Sequence, residues 1–403
     1  MSRARRLAAL FLCFVLGVVA APPVAGAQTP LPWLSAYYLN VPLWSDADTF
    51  NPGGFGDVQR LRLMVDPSLG PVSAEIAYEH LFSWSAEAGG TFGGSVPGAV
   101  TPGGGEWLDL QWVISDAEHV RWAHRFDRLN VSVSAGDVLE ATVGRQAISW
   151  ATTLLLTPTD PYKPFDPSDP FRVYRAGVDA ARVSIFPGPL SQADIVIRPA
   201  DFSTGETLSV LGRYRGVLAA WEISGYAGVL YDEPALSLAA TGGIGQAALR
   251  GEVQFREEEN ELVVRGTVGI DARVDAFGHD LYLVLEYQHE GFGASNAGEL
   301  FEVVTSTPFA RGELQVLSAD VTAWQAVYQL HPLVETQLLV LWSLNDWSAL
   351  FTPGASYSVS NEITAQAGLF LGVGADNITP DDPLPSEYGI VPTTAFVSLS
   401  VFF

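Results

Sequence analysis

Cysteine is almost absent from this chain: Cys13 is the only one among 403 residues. It lies in an apolar stretch near the start, preceded by Leu12 and not by small residues, so a lipid-anchoring signal is not expected. Beyond that stretch neither a disulfide framework nor a thiol nucleophile is available. Lysine is as scarce, with Lys163 alone, and Lys and Arg together number 21 against 45 Asp and Glu. The formal charge of −24 excludes nucleic acid as a partner, because holding phosphates takes clustered Lys and Arg. Long apolar runs are missing past the first residues, none reaching the roughly 18 of a spanning helix, which excludes a helical membrane protein.

The start has its own composition. Arg3, Arg5 and Arg6 precede the apolar stretch Leu7 to Ala21, and Ala25-Gly26-Ala27 follows as a small-residue cleavage site. Residues 1–27 therefore read as a cleaved secretory signal peptide. The apolar stretch is shorter than the roughly 20 residues of a membrane span. Residues 28–403 then form a single domain of 403 − 27 = 376 residues, with 21 − 3 = 18 basic side chains against 45 acidic ones.

What the chain has in quantity is alternation. In 246–256, Gln246, Arg250, Glu252, Gln254 and Arg256 oppose Ala247, Leu249, Gly251, Val253 and Phe255. Segments 72–79, 218–231, 262–273, 281–288 and 361–371 alternate alike. Such segments present one apolar and one polar face as β-strands. Short turns near 66–71, 135–137, 187–190, 215–217, 243–245, 274–279, 331–332 and 359–361 interleave with longer loops. The longer ones fall near 45–56, 84–118, 150–176, 199–206, 257–261, 291–317 and 374–389. That rhythm predicts an all-β, transmembrane antiparallel β-barrel of about 18 strands, with about 14 or 16 under other groupings. The final residues agree. Ala395, Val397, Leu399, Val401 and Phe403 form one face and Ser398 and Ser400 the other, as expected of a last strand facing lipid outside. The terminal aromatic strand resembles those of bacterial outer-membrane proteins. Outer-membrane lipids, lipopolysaccharide and the barrel-assembly machinery are the partners this implies. The outward apolar faces suit lipid or a second copy of the chain equally.

The polar faces would line the lumen. They carry Arg60, Arg62, Arg182, Arg198, Arg213, Arg215, Arg250, Arg256, Arg265 and Arg273, and Glu75, Glu79, Glu140, Asp194, Glu222, Glu252, Asp271, Glu286, Glu335 and Glu362. Ten face ten, so the wall is expected to be near neutral, with most charges in structural pairs. The excess acid would sit in loops such as Glu257-Glu258-Glu259.

Residues 157–171 repeat proline every third position: Pro158, Pro161, Pro164, Pro167 and Pro170. In polyproline II geometry these share one edge, Asp160, Lys163, Asp166 and Asp169 a second, and Thr159, Tyr162, Phe165, Ser168 and Phe171 a third. Two readings follow. Either the segment folds into the barrel and narrows it, its acids opposing Arg145, Arg172 and Arg175, or Asp-Pro turns bend it into a cap outside the pore.

Around this loop, VGRQAISW (143–150), PTDPYKPFDP (158–167) and YRAGVDAARV (174–183) resemble uncharacterised porin-like outer-membrane proteins, which are related in fold to alginate-export-like barrels. By that resemblance Gly144, Arg145, Gln146 and Trp150 correspond to a strand end and Asp179 and Arg182 to the next strand. Thr157 stands where an Asn is common. The resemblance implies a porin-like barrel and no more; with a wet, mixed-charge lumen the expected function is a channel for passive diffusion of small hydrophilic solutes. The alternatives are an outer-membrane enzyme or an adhesion or structural barrel with a blocked lumen. His80, His119, His124, His279, His289 and His331 lie beside no nucleophile motif, and no Gly-x-Ser-x-Gly elbow occurs. No catalytic residue, cofactor or metal is expected.

Overall fold

The structure, a computed structural model, describes residues 33–47, 52–86, 104–171, 173–380 and 382–403. The expected signal peptide and Arg172 lie outside them. Twenty strands share one antiparallel sheet. Two of them, Ser68–Leu69 and Gln111–Ala117, only flank a neighbour, leaving 20 − 2 = 18 in the wall. In chain order these are β1 (Leu34–Ser45), β2 (Gly54–Val65), β3 (Val72–Ser85), β4 (Val120–Ala135), β5 (Leu139–Gln146) and β6 (Val178–Gly188). Then come β7 (Ser191–Phe202), β8 (Gly205–Leu218), β9 (Trp221–Leu230), β10 (Glu233–Ile244), β11 (Ala247–Glu258) and β12 (Glu261–Ala276). The last are β13 (His279–His289), β14 (Asp320–His331), β15 (Val334–Ser343), β16 (Ala349–Ser358), β17 (Ile363–Val373) and β18 (Thr394–Phe402).

Each strand pairs with the next, and β18 returns to β1 with Phe402 opposite Tyr37 and Ala395 opposite Trp44. Phe403 and Ala36 exchange backbone hydrogen bonds of 2.9 and 3.2 Å. Closure satisfies the backbone groups that an open edge would leave bare in lipid. Side chains paired across strands share a face. The outer face exposes Val131, Val183, Ile195, Leu238, Val268, Leu283 and Leu399, while the inner face buries Arg62, Glu79, Arg198, Glu252, Arg256, Arg265 and Glu286. A polar patch interrupts the outer face of β1–β4. There Asn40 and Gln59 donate to Asp57 (2.6 and 2.7 Å), and His80 and His124 pair with ring centroids 4.8 Å apart.

One rim has short turns throughout, from 66–71 to 359–362. The other carries the long connections 86–119, 147–177, 290–319 and 374–393. The longer loops expected near 199–206 and 257–261 are instead tight hairpins. β7 joins β8 at 203–204, and β11 joins β12 at Glu259-Asn260, where φ is 52° and 68°. Positive φ at both central residues matches the twist of paired strands. The acids before that turn are not all solvated, because Glu258 faces inward and reaches Arg256 (2.5 Å) and Arg311 (3.2 Å).

Candidate functional site

A loop buried inside a barrel must find partners for its backbone, or each unmet group costs free energy. The connection 147–177 meets that requirement in two ways. Its five prolines have no N–H to satisfy. Several of its remaining N–H groups bond to wall carboxylates. Glu252 on β11 accepts from Thr152 (2.7 Å), Thr153 (3.2 Å) and Thr159 (3.4 Å). Glu286 on β13 accepts from Leu154 (2.7 Å), Leu155 (3.0 Å) and Leu156 (2.8 Å). Gln315, in the connection 290–319, accepts from Thr157 at 2.5 Å and donates to the carbonyls of Leu155 (3.0 Å) and Phe165. Tyr226 and Tyr231 donate to the carbonyls of Thr159 (2.9 Å) and Pro161 (3.0 Å).

Apolar packing holds the same loop from both sides. Ile148, Trp150 and Tyr162 join Val196, Leu211, Leu230 and Tyr231 of β7–β9 and the turn after them. Leu155, Leu156 and Phe171 join Tyr37, Leu341, Phe370 and Phe396 of β1, β15, β17 and β18. Contact with opposite walls places the loop within the barrel. It is not a straight rod. Asp160 N–H bonds to the Thr157 carbonyl (3.1 Å) and Asp169 N–H to that of Asp166 (3.3 Å), closing two turns. Asp166 accepts from Ser168 N and Oγ (2.9 and 2.7 Å), and Asp169 from Phe171 N (2.8 Å). Each aspartate closes a turn of its own, and these turns override threefold extension. The chain therefore bends, as the capping alternative held, but inside the wall.

The charged residues expected at a constriction do not form one edge. Asp160 is buried, accepting from Arg175 (2.6 Å), Ser149 (2.7 Å) and Trp150 N (3.1 Å). Burial pushes its carboxyl up from the usual range, and Arg175 pulls it back. Lys163 turns to Glu106 at 2.6 Å; burial lowers its amine to about 8 despite that partner. Asp169 borders a cavity described below. Arg145 is corrected more strongly. Its register partner is Asp179, which accepts from it at 2.8 and 2.7 Å, while Leu108 and Phe126 supply carbonyls at 2.7 and 3.2 Å. Leu129, opposite Arg145 on β4, is exposed on the outer face. Arg145 and Asp179 thus lie on the outer parity, at the rim, beneath residues 107–108, and Arg145 does not oppose Asp160. Gly144, with φ of 119°, marks the local irregularity in the strand.

The wall charges are mostly consumed by one another. Arg62 bonds Glu79 and Asp127 at 2.6 Å each, Arg125 bonds Glu79 at 2.6 Å, and Arg128 reaches Asp127 (2.6 Å) and Glu75 (3.4 Å). Asp194 meets Arg182 (2.8 Å) and Arg213 (3.6 Å), Arg250 meets Asp271 (2.8 Å), and Arg215 meets Glu222 (2.8 Å). Arg265 pairs with Glu290 (2.6 Å) and Arg256 with Glu313. Arg198 and Arg273 stack on Tyr162 and Tyr282, both 5.0 Å from the ring centroid. Arg60 lies on the same inner face, opposite Leu39. Sequence reasoning missed Asp127, Glu290, Glu313 and Gln315. A register shift in the β3–β4 pairing, between Ala77 and Tyr78, brings Asp127 in, and the run Arg125-Phe-Asp-Arg128 signals it by breaking alternation. Glu290, Glu313 and Gln315 lie in a connection that gave no strand phase to read.

Below the loop is a cavity of about 540 Å³, bounded by Leu154, Phe165 and Asp169 above and by β13–β17 around. No group of three or more His, Cys, Asp or Glu among the described residues could hold a metal ion.

No protein-family model matches the chain, and no curated protein does. Solved structures match in fold. Acinetobacter baumannii OccAB1 aligns with a TM-score of 0.55 at 8% identity, over 92% of this chain and 96% of that one. A BenF-like porin from Pseudomonas fluorescens Pf-5 aligns at 0.52 and 10% identity, over 92% and 98%. Pseudomonas aeruginosa OpdK, solved with vanillate, aligns at 0.50 and 10%, over 92% and 98%. Such neighbours carry the porin-like part of the resemblance seen at 143–183, and none of them speaks for the alginate-export kinship. The chain has the closed 18-stranded architecture of bacterial outer-membrane porins.

Proposed function

We propose that this barrel is an outer-membrane channel for passive diffusion of small hydrophilic solutes, narrowed by the connection 147–177. The observation that carries the reading is the cavity of about 540 Å³ beneath that loop, lined by polar and apolar side chains alike. A barrel kept only as a scaffold would gain from filling this space with packed side chains. Instead it has room of the size that small-molecule sites use, roughly 300–1,000 Å³. Asp160, Asp166, Asp169, Lys163 and Arg175 shape the constriction, mostly by fixing the loop rather than by facing solute. The paired arginines and acids stiffen the wall around them. The vanillate held by OpdK, similar in fold, is a small solute of the size considered.

Reconstitution of the purified chain in a planar bilayer tests this. A steady KCl current with weak voltage gating is expected. A silent barrel would end the channel reading and return the structural or enzymatic alternatives.

A further inference from the structure

The cavity lining has a chemistry the rest of the wall does not share. No Lys or Arg follows Arg311 in the sequence. The strands β14–β18 therefore carry no Lys or Arg, and β1 has none either. In their place stand Gln325 on β14, Gln337 on β15 and Gln366 on β17, all lining the cavity. All three are only half-buried, and none of their side chains makes a hydrogen bond among the described residues. Gly354 lies opposite Gln337 in the register, so no side chain on β16 covers Gln337 there. Across the cavity are the rings of Tyr282 and Phe165.

Resting on the channel reading above, we infer that this arc is a selectivity surface for uncharged, hydroxyl-rich solutes of sugar size. A primary amide offers two donors and an acceptor, and a hydroxyl offers one donor and two acceptors, so each satisfies both needs of the other. An anion asks for donors alone and would gain from arginine, which is absent here. Asp169 and Glu335, also on the lining, repel it further. A cation asks for acceptors alone and would leave the three NH₂ groups facing it. Aromatic rings give the apolar face of a sugar ring something to lie on. Three amides without side-chain partners on β14, β15 and β17 leave their donors and acceptors to whatever fills the cavity.

Proteoliposome uptake of glucose, gluconate and glucosamine tests the assignment, with KCl conductance measured on the same preparations. Glucose is expected to enter fastest. The triple variant Gln325→Leu, Gln337→Leu, Gln366→Leu should lower the ratio of glucose flux to KCl conductance about fivefold or more, as the loss of several modest hydrogen bonds implies. The single variant Gln337→Arg should instead raise gluconate entry, and it keeps the test decisive if the triple variant does not fold. Gluconate or glucosamine entering faster than glucose in the wild type overturns the assignment while leaving a channel. So does an unchanged ratio in the triple variant. Absence of KCl current in the wild type strikes at the channel reading instead.

Discussion

The barrel wall divides into two arcs built on one backbone plan. From β2 to β13 the inner face is studded with arginines, and nearly every carboxylate there meets a guanidinium or a row of backbone N–H groups. From β14 through β18 to β1 the inner face is amides, hydroxyls and apolar rings, with Glu335 its charge on the cavity. The difference teaches where charge is needed. Buried ion pairs rarely stabilise more than well-packed apolar groups would, so their use on one side calls for a local reason. That side receives the connections 104–110, 147–177 and 290–319, which bring unpaired N–H and C=O groups with them. Glu252 and Glu286 hold N–H groups of 147–177, and Asp127, itself held by Arg62 and Arg128, accepts from Gly177 N. The other arc meets the same loop through apolar contacts at Leu155, Leu156 and Phe171 and otherwise borders the cavity, where paired charge has no backbone to anchor.

The largest test of this contrast removes what the charged arc holds. Deleting residues 159–170 should raise single-channel conductance severalfold and admit larger solutes. The loop fills the section of lumen above the cavity, and polyethylene glycols of graded size would report the change. An unaltered cut-off would mean that the loop does not set the narrowest point, and that the charged arc merely stiffens.

Next in size is the charged arc itself. Replacing Arg62 by Met leaves Glu79 and Asp127, both buried, with one guanidinium fewer. Breaking such a cluster costs about 3–5 kcal/mol, readable as a fall in the unfolding midpoint in detergent. Replacing Gln366 by Met on the opposite arc should change stability little. Equal losses from the two substitutions would erase the distinction between the arcs.

Much of this was legible in the sequence. The alternation placed the arginines and glutamates of 246–273 on one face, the closing strand showed in 395–403, and the threading gave the observed strand number. The failures share one physical origin. Alternation assigns faces only while the register is regular. Asp127 enters through a register irregularity, and Glu258 belongs to a hairpin whose acids look like a solvated loop. Arg145 falls in the apolar phase of its strand, which already calls for a bulge or a rim position, and only the role opposite the loop acids fails for it. The count of ten arginines against ten acids left out Arg125, Asp127 and Arg128, which join the inner cluster, and was blind to position. Nothing in a tally says that Lys and Arg stop at Arg311, or that the last five strands then share a wall without either. The anchoring of 147–177 was invisible for a different reason. Glu252 and Glu286 bind backbone, and backbone leaves no mark in a residue pattern.

Glu286 offers a finer probe, because it lies on the last strand of the charged arc and holds three consecutive N–H groups. Glu286→Gln keeps the shape but replaces one accepting oxygen with an NH₂ that faces those donors. Hydrogen bonds to a charged group are worth about 1.5–3 kcal/mol, and part of that should be lost. The loop would then open and close on the measurable timescale, seen as added noise in the open-channel current. A quiet current would place the loop's stability in its apolar contacts and not in the carboxylate.

The smallest expected effect concerns Lys163, the lone ammonium of the chain, held by Glu106 within the loop cluster. Its amine titrates at about 8 in the folded chain, against an ordinary value of 10.5. Between those values the unfolded chain binds more protons than the folded one, so stability rises with pH across that window. Below about 8 both states are protonated and the burial penalty stands in full. The unfolding midpoint of the wild type should therefore climb modestly between pH 8 and 10, while that of Lys163→Met should stay flatter. Keeping below pH 10 avoids the tyrosines. If the two proteins climb in parallel, the rise belongs to other groups. The lysine would then be solvated and not sealed into the charged side, and the boundary between the arcs would lose the buried cation that places the loop on the arginine-bearing wall.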